Sequence, residues 1–353
     1  MPSSPMPTLR SISLGALLDT EMPERQWLLS PWLREQESVL VWAAPGVGKT
    51  MLTLSLALAV AGGGTLLGWT APRPSRVLFI DGEMPLDDLK GRLGTLAGAI
   101  EGIDLEAARA NLTILARHHQ HAETKFPDFG TEDQQDAVLA LIRSYRPDVV
   151  ILDNLSTLAT MDDENGAAET QRVVRLLTRL KQARIATVVV HHSGKTGRAY
   201  RGSSMLATTF EAIIGLTKEP GADALDVSGT AQFNIEWSKF RGRRDSSIGD
   251  RLVKLKDTAG VLRWTSETPQ DEVLNALATL SRTGRFTTRA DVGGALPEHL
   301  WPTAGSAPSA GWISGQFRMA GAKGIIGKAE VDNILGAARE ALDGTMDINH
   351  DDI

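Results

Sequence analysis

The chain contains one turn whose residues are suited to holding phosphate. It reads Ala43-Ala44-Pro45-Gly46-Val47-Gly48-Lys49-Thr50-Met51 and joins an apolar run to an apolar helix candidate. In a Walker A loop of this kind, glycines let backbone N–H groups close around phosphate, and the helix N-terminus adds positive potential. Lys49 would reach the β- and γ-phosphates, and the Thr50 hydroxyl would ligate Mg²⁺. We therefore predict that residues 44–51 bind ATP with Mg²⁺. The alternative is a chance glycine turn, since Ala43 stands where the first glycine is usual.

Two carboxylates follow other apolar runs and have the chemistry to complete such a site. Phosphoryl transfer needs one group to organise Mg²⁺ and another to orient the attacking water. Asp153 ends the run VVILD, the Walker B pattern, and is predicted to hold the metal with Thr50. Glu83, in FIDGEM, is predicted to polarise the water, with Asp81 as the reserve candidate. The alternatives are a turn-opening aspartate and a glutamate favoured by a helix dipole.

Apolar patterning indicates the elements that must position these residues. Short continuous apolar runs, typical of parallel strands buried on both faces, occupy 39–44, 77–80, 149–152 and 185–190. Helical stretches occupy 49–61, 86–100, 132–145 and 169–183, and further strand candidates lie near 210–216, 232–240, 250–256 and 261–264. This alternation predicts an α/β fold with a mostly parallel sheet flanked by helices.

The same patterning divides the chain into three parts. We expect an N-terminal arm with one short helix at residues 1–37, an ATPase core at 38–265 and a small helical C-terminal domain at 270–353. Helix candidates in the last part occupy 272–281, 309–321 and 330–342. Either a winged-helix domain, with 312–321 as recognition helix, or an oligomerisation cap would explain them.

Composition is that of an ordinary globular protein. Of the 353 residues 42% are hydrophobic, 23% are charged and none is cysteine. The lack of cysteine excludes a disulfide scaffold and thiolate zinc sites, and no apolar run is long enough to cross a membrane. We therefore expect a cytoplasmic protein without a membrane partner. The net charge of −6 argues against a passive DNA-coating protein but allows a local basic strip.

The order of the motifs resembles that of RecA-like ATPases. The pattern A-x4-GKT is followed by FIDGEM, VVILDN, VVVHHSGK and RGSS, over roughly residues 25–265. The chain looks most like the plasmid replicative helicase RepA group, and more distantly like DnaB-type helicases and RecA recombinases. This resemblance implies a RecA-like fold in a homo-oligomeric ring, typically a hexamer. It also implies ATP at the subunit interfaces and single-stranded DNA in the central channel.

The resemblance also assigns roles to residues at the ends of strands. Glu83 matches the catalytic glutamate, and Asp153 matches the Walker B aspartate. His191 and His192 stand where this superfamily keeps a polar sensor of the γ-phosphate, and we favour His192 for that role. Backbone-satisfied histidines at a strand end are the alternative.

The segment WSKFRGRR resembles the finger pair that DnaB-like rings insert into a neighbour's site. Lys239 and Arg241 form its K-x-R pattern, and a cation supplied there stabilises transition-state charge. Period-two alternation predicts that Trp237 shares their face of the strand. The alternative is a basic turn exposed at the sheet edge.

Two loops match the positions that line the channel in RecA-like proteins. The loop 193–204 carries Lys195, Arg198 and Arg201 without an acid, which suits contact with the DNA phosphate backbone. A solvated basic loop is the alternative. The loop 157–169 carries three acids at 162–164, which repel phosphate. The histidines at 118, 119 and 121 have no known metal-site spacing and are interpreted as a solvated loop.

These features favour an ATP-hydrolysing ring motor. Its most specific form is a hexameric replicative DNA helicase, for which a replication initiator or a primase would be a partner. One alternative keeps the ATPase but makes it a recombinase-like or signalling RecA-fold protein without unwinding. The other is a nucleotide-switched DNA-binding regulator.

Overall fold

A computed structural model describes residues 9–160, 167–193, 204–218, 230–243, 247–286 and 289–327. The strands are β1 (Trp27–Leu29), β2 (Leu33–Arg34), β3 (Ser38–Ala43), β4 (Thr65–Leu66), β5 (Trp69–Thr70), β6 (Val77–Asp81), β7 (Leu112–Ala116), β8 (Val149–Asp153), β9 (Ala186–His192), β10 (Ala212–Thr217), β11 (Ala231–Phe240), β12 (Arg251–Thr258) and β13 (Val261–Glu267). The α-helices are α1 (Leu14–Asp19), α2 (Lys49–Gly62), α3 (Leu86–Leu96), α4 (Leu105–Asn111), α5 (Gln135–Ser144), α6 (Leu155–Leu158), α7 (Ala167–Gln182), α8 (Ser204–Thr209), α9 (Pro269–Arg282), α10 (Arg289–Ala295) and α11 (Ala310–Ala322).

One large sheet organises the chain. Its strand order is β13-β12-β11-β10-β3-β9-β8-β6-β7. The strands from β10 to β7 are parallel, whereas β11, β12 and β13 continue the sheet as an antiparallel meander. The α/β fold with a mostly parallel sheet flanked by helices, predicted from the sequence, is confirmed.

The parallel strands are buried on both faces because alternate residues pack into different layers. On β6, Val77 and Phe79 pack with the apolar residues of α2, whereas Leu78 and Ile80 pack with those of α5 and α7. Such double burial explains why these strands are continuous apolar runs in the sequence.

Two small hairpins and the edge strand β7 were not predicted from the sequence. The hairpins β1–β2 and β4–β5 have strands of two or three residues, too short to show a period. Trp32, Trp69 and Trp237 join them to β11 by edge-to-face contacts with ring centroids 5.3–6.0 Å apart. Part of the predicted arm is therefore packed on the core. The remainder includes the predicted short helix, α1, which has no buried residue.

A β-bulge near the end of β11 makes one sequence prediction wrong. Ile214 pairs with Trp237 but Ile213 pairs with Lys239, so Ser238 is an extra residue in the ladder. Paired residues lie on the same face of a sheet, so the bulge places Trp237 on one face and Lys239 on the other. Trp237 therefore does not share a face with Lys239 and Arg241, contrary to simple alternation.

The C-terminal helices form a separate small cluster. Helices α9, α10 and α11 surround an apolar core of their own that includes Leu274, Leu277, Ile313 and Phe317. A capping box at Thr268 and Asp271 begins α9 directly after β13. The helix candidate at 330–342 lies outside the described residues. None of the described helices is long and apolar enough to cross a membrane.

Candidate active site

The carboxyl ends of four parallel strands meet at one edge of the sheet. Ala43 at the end of β3 is level with His192 on β9, and Asp81 on β6 is level with Asp153 on β8. We call this the nucleotide edge. Ligands of open parallel sheets bind in the crevice outside these ends. Strand pairing thus brings together residues such as Ala43 and His192, which lie more than a hundred positions apart in the sequence.

The phosphate-binding turn depends on glycine at position 48. Gly48 has φ of 120°, in the region that residues with a side chain rarely adopt. A Cβ there would also lie 3.0 Å from the ring of Phe233 on β11. Glycine at this position therefore places no side chain between the backbone N–H groups of the turn and a bound phosphate. Lys49 begins α2 directly after the turn.

The ammonium group of Lys49 is held inside the turn. It donates to the carbonyl oxygens of Ala43 and Ala44, both at 3.1 Å, and lies 3.4 Å from Nδ1 of His192. Burial lowers its pKa, and the charges of Asp153 and Glu83 oppose that shift. A buried cation with neutral partners is a favourable place for an anion.

Asp153 is a buried carboxylate next to the start of α2. Its Oδ2 accepts a hydrogen bond from Thr53 at 3.2 Å. Burial, with the charge of nearby Asp81, raises the pKa of Asp153 to about 7, while hydrogen bonds from Thr50 and Thr53 and the charge of Lys49 oppose the shift. The Thr50 hydroxyl and the Asp153 carboxylate are thus adjacent.

Glu83, Asn154 and His192 form a connected polar group above these residues. Asn154 donates from Nδ2 to Oε1 of Glu83 at 2.7 Å, and the same Nδ2 lies 3.3 Å from Nε2 of His192. His192 also lies 3.6 Å from the Glu83 carboxylate. Together with the contact to Lys49, these bonds run from the phosphate-binding turn to the proposed water-polarising acid.

Asp81 and His191 lie behind this group and have other partners. Oδ1 of Asp81 accepts from the backbone N–H groups of Glu83 at 2.9 Å and Met84 at 2.6 Å, and only 1% of the residue is exposed. His191 is equally buried and lies 3.3 Å from the hydroxyl of Ser156. The geometry therefore favours Glu83 over Asp81, and His192 over His191, for contact with a ligand.

The cleft in front of these residues fits a triphosphate with Mg²⁺. It has a volume of about 230 Å³ and is lined by Pro45, Gly46, Gly48, Lys49, Thr50, Met51, Glu83, Met84, Arg92, Asp153, Asn154 and His192. The Asn154 Oδ1 atom is buried without a hydrogen-bond partner among the described residues. A hard cation prefers the carboxylate and hydroxyl oxygens of Asp153 and Thr50. A phosphate group suits Lys49 and the backbone N–H groups of the turn.

Lys239 and Arg241, the predicted finger pair, lie at the opposite end of the strands from the nucleotide edge. Ala212 pairs with both Val39 and Phe240, so Lys239 and Arg241 lie level with the start of β3. Lys239 donates to Ala207 O at 2.6 Å, and Arg241 donates to Thr208 O at 2.8 Å. We call this the finger edge. Strand geometry separates it from the carboxyl end of β3 by about 13 Å.

Other predicted residues lie elsewhere or are not described. The cations Lys195, Arg198 and Arg201 and the acids at 162–164 lie outside the described residues. The histidines at 118, 119 and 121 are exposed, in agreement with a solvated loop. Within the described part of the chain, no group of three or more His, Asp or Glu residues could hold a metal.

Three residues of the site were missed. Asn154 directly follows the Walker B aspartate, and that position was the available signal. Thr53 lies one helical turn after Lys49, so its contact with Asp153 follows from the helix period. Arg92 on α3 lines the cleft but belongs to no motif, and only the packing of α3 brings it there.

Comparisons with known proteins identify a family and similar solved structures. The family model described as AAA domain matches residues 4–198. A KaiC-like protein from Pyrococcus horikoshii is similar in structure, with a TM-score of 0.44 and 13% identity over 67% of this chain and 93% of that one. The flagellar accessory protein FlaH from Methanocaldococcus jannaschii has a TM-score of 0.44 and 12% identity over 66% of this chain and 90% of that one. No curated protein sequence matched the chain.

Proposed function

Because the chain belongs to the AAA domain family and is a P-loop ATPase, we propose that it is an ATP-driven ring motor acting on single-stranded DNA. Its most specific form is a hexameric replicative helicase. One observation carries the proposal: Lys49, His192, Asn154 and Glu83 are connected in series beside the buried Asp153. That arrangement supports hydrolysis of ATP and sensing of the γ-phosphate by His192.

Hydrolysis assigns a task to each of these side chains. ATP with Mg²⁺ supplies the phosphoryl group and the positive charge that polarises it. Lys49 exchanges its carbonyl partners for phosphate oxygens, and Thr50 and Asp153 fix the metal. The Glu83 carboxylate accepts a proton from the attacking water. Asn154 keeps that carboxylate in place, and His192 responds to the γ-phosphate between Lys49 and Asn154.

A shared site between subunits follows from the two edges of the sheet. Arg241 is at the finger edge and Lys49 at the nucleotide edge, so Arg241 does not reach the phosphates of its own chain. A head-to-tail contact between copies brings opposite edges together, and it gives a ring when the rotation between copies closes. In such a ring, Lys239 and Arg241 of one copy approach the γ-phosphate of the next.

Action on single-stranded DNA rests on the sequence. The resemblance to replicative helicases and the three cations Lys195, Arg198 and Arg201 support it. A replication initiator or a primase is the partner that such a helicase would need. Contacts to the phosphate backbone would make binding strongly dependent on salt.

Two experiments test the proposal. Lys49→Ala and Arg241→Ala should each be nearly inactive, and an equimolar mixture should regain activity because Lys49→Ala subunits supply a finger to intact P-loops. No regain at any mixing ratio would contradict a shared site. Fork unwinding and stimulation of hydrolysis by oligo-dT should accompany ring formation, as seen by negative-stain imaging with an ATP analogue.

The alternative functions predict different results in the same assays. A recombinase-like protein should form filaments on DNA and unwind nothing. A signalling ATPase should hydrolyse slowly and ignore DNA. A nucleotide-switched regulator should bind duplex DNA through residues 270–353, and removing that segment should abolish binding.

A further inference from the structure

The finger edge carries a cleft lined by four arginines, of which the proposed chemistry uses only Arg241. The cleft has a volume of about 730 Å³, and its walls include Arg25, Arg34, Arg241 and Arg243, with Trp27 beside them. We call it the arginine cleft. Hairpin β1–β2 forms one side, and the end of β11 forms the other. Its place beside Arg241 puts it where the shared site requires a neighbour.

Positive charge in the arginine cleft is only partly neutralised. Arg25 is paired with Glu37 at 3.3 Å, and Arg241 lies 3.6 Å from Glu211. Glu211 is also bound by Lys181 at 2.8 Å, so its charge is already met. Among the described residues, Arg243 forms no ion pair, and Arg34 acts on the Glu37 carboxylate through its charge without a close ion pair. The cleft therefore favours an anionic occupant.

Arg34 is held in a geometry that suits a carboxylate. Its guanidinium lies over the Trp27 ring, 3.7 Å from the ring centroid. Stacking uses the flat face of the guanidinium and leaves the N–H groups at its edge free to donate. A preorganised guanidinium loses less side-chain entropy when it binds a carboxylate.

We propose that the arginine cleft binds the acidic first turn of α3 in a second copy of this chain. Asp87 and Asp88 form that turn and are exposed, and Leu86 is 36% exposed beside them. They lie one helical turn after Glu83 along the chain. When Arg241 of one copy approaches the nucleotide edge of the next, this acidic turn lies beside the edge that Arg241 approaches. The inference rests on the shared site of the proposed function.

The exposed arm agrees with a partner at this edge. Helix α1 exposes Leu14, Leu17 and Leu18 at 71%, 43% and 75%, and the chain then leads to Arg25 in the cleft. Exposed apolar groups in such number mark a contact surface, and interfaces combine an apolar part with a charged rim. A second copy that fills the cleft also lies within reach of the arm.

Charge reversal tests the docking because the two surfaces lie on different copies. The variant Arg34→Glu/Arg243→Glu and the variant Asp87→Arg/Asp88→Arg should each assemble at least about 10-fold more weakly, since like charges then face each other. An equimolar mixture should assemble like the unaltered chain, because every contact in an alternating ring again joins opposite charges. Sedimentation velocity of the full chain with Mg²⁺ and a non-hydrolysable ATP analogue measures this. Arg263→Glu is the matched control, because this arginine of β13 is exposed, and the variant should assemble like the unaltered chain.

A cross-link provides a second measurement that does not depend on weakened assembly. The chain has no cysteine, so Asp88→Cys with Arg243→Cys introduces one defined pair. Oxidation should give a ladder of dimers, trimers and larger species, because the contact is head-to-tail. Absence of a ladder, or normal assembly of both charge-reversed variants, overturns the docking.

Other occupants give different outcomes. Loss of single-stranded DNA binding by Arg34→Glu/Arg243→Glu, with assembly unchanged, would show a phosphate backbone in the cleft and overturn the proposal. If Lys49→Ala and Arg241→Ala complement each other but the cross-link fails, the docking alone is wrong. If the unaltered chain stays monomeric with nucleotide, the shared site fails as well.

Discussion

The side-chain amide of Asn154 donates a 2.7 Å hydrogen bond to the carboxylate of Glu83. This bond joins the residue after the Walker B aspartate to the proposed catalytic acid on the neighbouring strand. The bond makes the position of the Glu83 carboxylate depend on Asn154. A substitution at Asn154 removes the bond and leaves every residue of the phosphate-binding turn unchanged.

Asn154→Asp should lower kcat for ATP hydrolysis about 10- to 100-fold, because a carboxylate in place of the amide repels Glu83 and displaces it. Binding of a fluorescent ATP analogue should change little, since Asn154 does not belong to the turn. Steady-state kinetics and equilibrium binding measure the two effects. Asn275→Asp, on the exposed face of α9, is the control. Less than a twofold change in kcat would contradict a positioning role for Asn154.

Glu83→Gln should bind ATP normally and hydrolyse it about 100- to 10,000-fold more slowly, because the amide cannot accept the proton of the attacking water. Asp81→Asn should retain much more activity, since its Oδ1 can still accept from the N–H groups of Glu83 and Met84. Single-turnover hydrolysis separates the two variants. The reverse order of activities would transfer the catalytic role to Asp81.

Asp153 should make the nucleotide-free protein less stable as pH rises. Its pKa is about 7 in the folded chain, against an ordinary value of 3.8, so folding favours its protonated form. That stabilisation is complete below about pH 4 and is lost as pH rises through about 7. Asp153→Asn should therefore unfold at higher temperature than the unaltered chain at pH 8 without Mg²⁺.

The expected difference in unfolding free energy for Asp153→Asn is about 1–4 kcal/mol, from the size of the pKa change. Thermal unfolding at pH 5 and pH 8 measures it, and the two proteins should differ much less at pH 5. The variant should also lose hydrolysis because the metal loses its carboxylate. Equal stability of the two proteins at pH 8 would show that Asp153 is not an uncompensated buried charge.

Replacing Leu14, Leu17 and Leu18 by glutamate should weaken nucleotide-dependent assembly without destabilising the monomer. Helix α1 has no buried residue, so the changes remove no buried apolar contact. Sedimentation velocity and thermal unfolding give the two readouts. Leu105→Glu, an exposed leucine of α4, is the control and should assemble normally. Unchanged assembly of the arm variant would mean that the arm has another partner.

The sequence predicts the central parallel strands because their signal is local. Val149 to Asp153 is a buried run with a polar end, and the same pattern marks β6 and β9, whereas β3 is a buried run that leads directly into the Walker A turn. The Walker A turn is equally local, since its glycines, Lys49 and Thr50 are contiguous. These features need no knowledge of strand order to be recognised.

The remaining features depend on tertiary packing. Arg92 lines the cleft only because α3 packs beside the nucleotide edge, and Asn154 gains its role only when β6 lies next to β8. The bulge at Ser238 follows from pairing with β10, so alternation along β11 does not predict it. The short hairpins are held by the tryptophan contacts rather than by their own propensity.

Ser238 is the position at which β11 can change its length. The side chain is exposed, and a substitution there should be tolerated. Deleting the residue would leave Trp237 paired with Ile214 and Lys239 paired with Ile213, so both side chains would keep their present faces of the sheet. Variation among relatives at this position should therefore include loss of the residue as well as changes in its type.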